Sequence, residues 1–557
     1  MGRPQIGIRA IFQRRRERQQ RCSCGRSERN FGRSSRRNID TNLQRSFSTV
    51  DVGGSRYEVN GGKIQGVWVF HRHGDRTPSA PLCHDEDITK ESDFWKAKLP
   101  PTQLMKYLAA KFPLDMHPSW GNVHLDTKRD PYGALTMLGA AQMHRVGEKF
   151  FHRYGNASPF STSMEEPAAM LQTRIVDNRA EEFLRDWHVT VYSTNYLRTI
   201  TSARSFLDGL LYGKSNPHFQ HIFKDLYKYG ARLPKLFTHP HSHQCQHQFS
   251  NECSLETRKE ISKILIHVRE KQTDPLNAFD RNFQLMMQLI QDVVNQESFQ
   301  ERDASALSLA ERLIQDLPGL QKRGVKFGGP SGINWIHAFD HFVCRSSHGM
   351  KLSDLSPMDE TIVDSKSRND NVCPGNVDPM QEYFDPTMTH LAWRFRQWYT
   401  SAPLLAEFSG PPLREVVSHA KFCSSSSSSL GEHHPAPKKP FVVYSCHDVS
   451  ILSLLYGIQS DVVLADEENA YWPPYASTLV FELVQLDSDS QVMRILLNGE
   501  PARIQGIESN MLALDEFDKV VEEMIKAGGR ELSVPLCHSF QNGTDKPTRS
   551  KNNRQHN

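Results

Sequence analysis

The chain has 557 residues, 38% of them hydrophobic and 24% charged, an ordinary balance for a globular protein with one large core or two. No apolar run approaches the ~18–20 residues that a membrane-spanning helix needs. The net charge of +3 is unevenly placed: residues 1–50 carry 13 Arg against Glu17, Glu28 and Asp40, giving +10 and leaving −7 for the remainder, so the globular part offers no general basis for nucleic-acid binding.

Taken in chain order, residues 1–50 are Arg- and Ser-rich, poor in acids and without an apolar h-region, a pattern that reads as a mitochondrial transit peptide. Two N-x-S/T sequons, at Asn156 and Asn542, favour a secretory or lysosome-like compartment as the alternative. The apolar run Ile64–Phe70 opens the folded part as a buried strand. Residues 79–130, punctuated by Pro, Asp and Trp, read as long loops with short helices. The segment Leu135–Phe151 is amphipathic at helical spacing, with Thr136 as its N-cap. A strand at His188–Ser193 leads through Asn195 into a helix reaching Leu211.

From residue 216 to 399 the periodicity is helical, with segments at 257–271, 276–298, 303–317, 335–350 and 388–399, and it predicts a mainly α cap without a strand. Cys423–Lys439, with six consecutive serines, reads as a low-complexity surface insertion. Strands follow at Pro440–Ser445, Leu479–Gln485 and Gln491–Leu497, and a polar tail occupies 538–557. The fold class expected is a three-layer α/β sandwich. Its mixed-sheet core is discontinuous, over 60–215 and 400–537, with the cap inserted between.

Three places in this order carry chemistry. Val67-Trp68-Val69-Phe70 ends in His71-Arg72-His73-Gly74-Asp75-Arg76, which delivers two arginines and a histidine to the end of a core strand. That is where open α/β sheets bind ligands. The planar Arg fork suits a dianionic oxyanion, so this reads as a phosphate pocket with a histidine nucleophile. His71 and His73 flank Arg72 and share one face only while the strand continues. Gly74 is read as permitting a sharp turn. A tetrahedral phosphate needs a further donor, and Arg198 meets that need from the first turn of the helix after the second strand, at a helix end that itself favours anions. The third place is His447-Asp448, again at a strand end.

Arg72-His73-Gly74-Asp75-Arg76-Thr77-Pro78 resembles the RHGxRxP signature of the histidine acid phosphatases, branch 2 of the histidine phosphatase superfamily. Ser193-Thr194 with Arg198-Thr199 and Ser202-Ala203 is similar to the family's second stretch, and His447-Asp448 to its HD motif. The resemblance extends to Leu135-Thr136 with Gly139, Gln142 and Gly147, and to Trp472-Pro473-Pro474-Tyr475-Ala476-Ser477 with Glu482-Leu483. Within the family the chain most resembles the mitochondrial lysophosphatidic acid phosphatase type. It departs at Asp75, in the Ser-rich insertion and across much of the cap.

The resemblance implies that His73 is the nucleophile and that His71 is a packed or supporting residue. It implies that Arg72, Arg76, Arg198 and His447 bind the phosphoryl group. Asp448, its carboxyl raised in pKa by partial burial, is expected to act as general acid. Asp75 is expected to orient His73 or an arginine, and Thr77 and Pro78 to fix the turn. The expected activity is metal-independent hydrolysis of a small-molecule phosphomonoester, optimal in acid, without cofactor, by a monomer or homodimer. Lysophosphatidic acid or a related lipid phosphate is the first expectation for substrate. Inositol phosphates and sugar or glycan phosphates are the alternatives; an inositol phosphate pocket should draw on Lys224, Lys228, Arg232 and Lys235 of the cap. A non-catalytic phosphate-binding protein on the same fold is the reading of another class, disfavoured because nucleophile and acid are both present. The run Thr238–His247 offers metal-ligand types without the spacing of a structural zinc site and reads as a solvated loop.

Overall fold

The structure is a computed structural model. It describes residues 62–82, 86–116, 131–155, 179–213, 255–270, 272–317, 319–320, 329–349, 379–426, 438–464, 471–486, 490–507, 511–529 and 532. The Arg-rich leader, both sequons, the His-rich run, the four cap cations and most of the Ser-rich insertion lie outside the described residues.

One sheet organises the chain. Its strands are β1 (Lys63–Arg72), β2 (Leu114–Met116), β3 (Trp187–Ser193), β4 (Ile266–Val268), β5 (Lys439–Cys446), β6 (Thr478–Gln485), β7 (Gln491–Leu497), β8 (Glu500–Pro501) and β9 (Met511–Ala513). Their order is β2-β4-β3-β5-β1-β6-β7-β8, with β9 on β7. From β2 to β1 every pairing is parallel, and from β1 to β9 every pairing is antiparallel. The three strands expected to carry chemistry are therefore neighbours, β3-β5-β1, and all point the same way. The register sets Arg72 beside Cys446 and Ser193 beside Ser445, so the three strand ends stop abreast.

The continuous apolar run of β1 follows from burial on both faces. Val67 and Val69 enter one core with Phe441 and Val443; Trp68 and Phe70 enter the other with Val442 and Tyr444. The helices are, in chain order, α1 (Glu86–Lys96), α2 (Thr102–Lys111), α3 (Met137–Tyr154), α4 (Arg179–Asp186), α5 (Leu197–Leu211), α6 (Leu255–Ile261), α7 (Ala278–Arg281), α8 (Phe283–Val294), α9 (Glu297–Ala304), α10 (Leu307–Asp316), α11 (Trp335–Ser347), α12 (Pro379–Thr400), α13 (Ala402–Ser426), α14 (Asp448–Gly457), α15 (Asp461–Leu464) and α16 (Leu514–Ala527). Helices α3 to α6 cover the first face through Phe150, Phe183, Phe206 and Ile261. Helices α13, α14 and α16 cover the second, where the same apolar core continues into α8, α10, α11 and α12. The expected three-layer α/β sandwich is the observed architecture.

Two expectations are corrected. Residues 257–271, read as one helix, hold α6 and then β4, which pairs with β2 and β3, so the sheet reaches into the region expected to be mainly α. Residues 79–130, read without a strand, supply β2. Each of these strands is three residues long, too short for alternation to register. The N-cap is as read: the Gly139 N–H donates to Thr136 Oγ1 at 3.1 Å.

Candidate active site

The site forms where β1, β3 and β5 end. His73 follows the last residue of β1, its N–H held by the Cys446 carbonyl of β5 at 3.1 Å. The side chain is 2% exposed. Its Nδ1 lies 2.8 Å from the Gly74 carbonyl oxygen. A carbonyl can only accept, so Nδ1 carries the proton and Nε2 keeps its lone pair. Burial first, then the charges of Arg198, Arg72 and Arg76, hold the imidazole pKa well below its usual value. These surroundings favour the neutral imidazole, with its Nε2 lone pair free to act as a nucleophile. His71 is packed as expected, stacked on Phe206 with ring centroids 5.5 Å apart, and burial lowers its pKa to about 4.

The three arginines converge on this histidine electrostatically. Arg72 donates from Nη1 to the Pro473 carbonyl at 2.6 Å, pairs through Nη2 with Asp448 Oδ2 at 2.8 Å, and lies over the Tyr475 ring at 4.2 Å. Arg76 donates to the Thr77 carbonyl and pairs with Asp340 of α11. Arg198, in the first turn of α5, lies over the Tyr196 ring at 4.4 Å. Its pKa is lowered to about 10 by burial and then by Arg76. The Nε atoms of Arg72, Arg76 and Arg198 are all buried without a hydrogen-bond partner. Orphaned buried donors cost free energy, and a bound oxyanion would satisfy them.

His447 is the N-cap position of α14, with its ring 5.5 Å from that of His73. Its Nε2 lies 3.1 Å from Thr194 Oγ1. Thr199 must donate to a carbonyl, so Thr194 gives its own proton to Thr199 and His447 Nε2–H is the donor to Thr194. A phosphoryl oxygen would compete with Thr194 for that proton. Asp448 opens the same helix. Its Oδ1 accepts from the Val449 N–H at 2.9 Å, and its Oδ2 accepts from Trp472 Nε1 at 3.2 Å and from Arg72.

Three readings are revised here. Asp448 was expected to have a raised pKa. Burial does push it up, but Arg72, His447 and the Val449 N–H outweigh burial, so it is held below its ordinary value while no anion competes for Arg72. Asp75 orients neither His73 nor an arginine: its Oδ2 accepts from Thr136 Oγ1 at 2.5 Å and from His348 Nε2 at 2.7 Å, tying the loop to α3 and α11. Gly74 has no positive φ. It is small because α3 abuts it, and a Cβ there would sit 2.2 Å from the Gly139 carbonyl oxygen. Thr77 does fix the turn, donating to the Pro131 carbonyl at 2.6 Å.

Sequence reasoning gave no role to the wall 472–477 and did not find Asp340. The wall supplies Pro473 to Arg72, Trp472 to Asp448, and backbone bonds from Arg72 N–H to the Ser477 carbonyl and from Ala476 N–H to the His73 carbonyl. Asp340 was visible as one member of a polar stripe, His337, Asp340, His341, Cys344, Arg345 and His348, at helical spacing in an otherwise apolar segment. Among the described residues, no group of three His, Cys, Asp or Glu side chains gathers to hold a metal ion.

Comparison with known proteins follows the same line. The sequence model of the histidine phosphatase superfamily (branch 2) matches residues 63–325. Counting factor 60 of Dictyostelium discoideum is 27% identical over 128 residues, which is 22% of this chain and 26% of that protein's length. The chain is similar to the Citrobacter braakii phytase structure at 14% identity and TM-score 0.41, covering 84% of this chain and 99% of that one. It is similar to Hafnia alvei phytase in complex with myo-inositol hexakis sulphate at 13% identity and TM-score 0.43, covering 85% and 99%. The matched residues, somewhat less than half of the chain, hold His73 and all three arginines of the site, and over them the chain is similar to the histidine phosphatase superfamily, branch 2.

Proposed function

We propose that the chain is a metal-independent phosphomonoesterase working through a phosphohistidine. One observation carries the reading: a buried neutral imidazole lies among three arginines whose Nε–H groups have no partner, beside a carboxyl group bound to one of them. The arginines hold the phosphoryl group and supply the positive charge that its transfer requires. His73 Nε2 attacks phosphorus, the P–O bond to the leaving group breaks, and Asp448 gives its proton to the departing oxygen. Phosphate drawing Arg72 away from Asp448 raises the carboxyl pKa at the moment a proton is needed. Water then attacks phosphorus, Asp448 takes the water's proton, the P–N bond breaks, and His73 recovers its lone pair.

For substrate, a lipid phosphate such as lysophosphatidic acid is the first reading, and a small, mainly apolar recess that shares His447 with the site is where its chain would begin. Leu276, Ala278, Phe279, Phe408, Val449 and Leu454 line it. An inositol phosphate is the second reading, and the cap cations it would call on lie outside the described residues. The Arg-rich leader supports a mitochondrial location. The test is phosphate release from lysophosphatidate, phytate, sugar phosphates and p-nitrophenyl phosphate across pH, for wild type and His73→Ala. We expect acid-optimal hydrolysis led by lysophosphatidate, and loss of at least about 10³-fold in His73→Ala. Full activity in that variant would end the mechanism, and strong preference for phytate would overturn the lipid reading alone.

A further inference from the structure

A guanidinium group is planar and rigid, so fixing one edge fixes the direction of the others. In Arg76, Nη2 lies 2.5 Å from Asp340 Oδ1, and Nη1 donates to Asp340 Oδ2 at 3.1 Å and to the Thr77 carbonyl at 3.0 Å. The Nη1–Nη2 edge is thus held by the protein, while Nε is buried without a partner. Arg72 repeats the pattern: Nη1 on Pro473, Nη2 on Asp448, and Nε unpartnered. Only Arg76 of the two is gripped by one carboxylate at both terminal nitrogens, which leaves its Nε side for another acceptor.

Asp340 is itself fixed from two sides. The Ser79 N–H donates to Oδ2 at 2.8 Å, and Cys344 Sγ–H, one turn along α11, donates to Oδ1 at 3.7 Å. Burial works against its charge, but Arg76 and the Ser79 N–H outweigh this and hold its pKa below the ordinary value. It is a fixed, charged carboxylate on a helix that also binds the signature loop through His348 and Asp75.

We infer that Asp340 is the positioning residue for Arg76: from α11 it orients the guanidinium so that its Nε edge meets the substrate phosphoryl group. This rests on the phosphatase reading. The rival role for a carboxylate here, an anion that competes with phosphate for Arg76, predicts the opposite sign.

The experiment measures inorganic phosphate binding by calorimetry, together with p-nitrophenyl phosphate kinetics, on the full chain. The proteins are wild type, Asp340→Asn, Asp340→Glu, Arg76→Ala and the Asp340→Asn/Arg76→Ala double variant, with thermal unfolding of each. Asp340→Asn should weaken phosphate binding roughly 10-fold and lower kcat/KM by about 10–100-fold, the scale of a misplaced binding group. Asp340→Glu, which keeps the charge but shifts it by one methylene, should fall between. In the Arg76→Ala background the Asp340 substitution should change nothing further, because its effect passes through Arg76. Unchanged or tighter phosphate binding in Asp340→Asn, or additive losses in the double variant, would overturn the inference. If Asp340→Asn does not fold, the glutamate variant decides by the same criteria. Absence of phosphate binding by folded wild type would sink the phosphatase reading with it, whereas wild-type binding that Asp340→Asn leaves intact sinks this inference alone.

Discussion

At the scale of single residues, the division of labour between His73 and Asp448 follows from their surroundings. His73 is kept neutral by burial and by three cations, so it retains its lone pair where a solvent-exposed histidine would be protonated. Asp448 is kept charged by Arg72 until an anion takes Arg72's attention. In its proposed role of general acid it matters most for a leaving group that is a strong base. Asp448→Asn should therefore lower kcat/KM, which reports only the steps through phosphoryl transfer to His73, by about 10²–10⁴-fold on an alkyl phosphate and far less on p-nitrophenyl phosphate. The sign of the pH effect follows: protonated Asp448 becomes more abundant as pH falls. The ratio of alkyl to nitrophenyl kcat/KM should rise toward acid in wild type and lose that rise in Asp448→Asn. Equal losses on the two substrates would remove Asp448 from the proton transfer. That both residues belong to one pocket was legible because each follows the end of an apolar strand; the roles proposed for them came from the resemblance. The lowered pKa of Asp448 was not, because it depends on an Arg72 contact between residues 376 positions apart.

At the scale of elements, the signature loop is held by helices rather than by its own turn. Helix α3 begins against it, with Gly139 and Gly74 backbone to backbone; a Cβ at Gly139 would lie 2.0 Å from the Asp75 carbonyl oxygen. Thr136, the cap of that helix, also donates to Asp75. Because backbone must move to admit a methyl group, Gly139→Ala should cost about 3 kcal/mol or more in denaturant unfolding. It should also lower kcat/KM by shifting Arg76. An unchanged midpoint and unchanged kinetics would show that the loop is not braced there. The periodicity of α3 and the Thr136 cap were readable in the sequence because both are local. That Gly74 answers to helix approach and not to a positive φ was not readable, since the neighbour it admits is 65 residues away.

At the scale of the whole molecule, the parallel order β3-β5-β1 turns three distant segments into one site. The sequence showed three strand ends with complementary chemistry, and only the topology makes them adjacent. What it concealed lies in the two elements that close the site: α11, whose polar stripe resembles an ordinary solvated face until it is seen buried against the loop, and the wall 472–477, whose hydrogen bonds to Arg72 run through backbone carbonyls that any residue could supply. The proposed mechanism requires one covalent species formed at that junction. Rapid acid-free quenching of the enzyme with phosphorus-labelled p-nitrophenyl phosphate, followed by peptide mapping, tests it directly. The account predicts an acid-labile, base-stable phosphoenzyme with the label on Nε2 of His73, accumulating further when Asp448→Asn slows its hydrolysis. Label on a carboxylate, or turnover that inverts configuration at phosphorus with no phosphoenzyme, would contradict it.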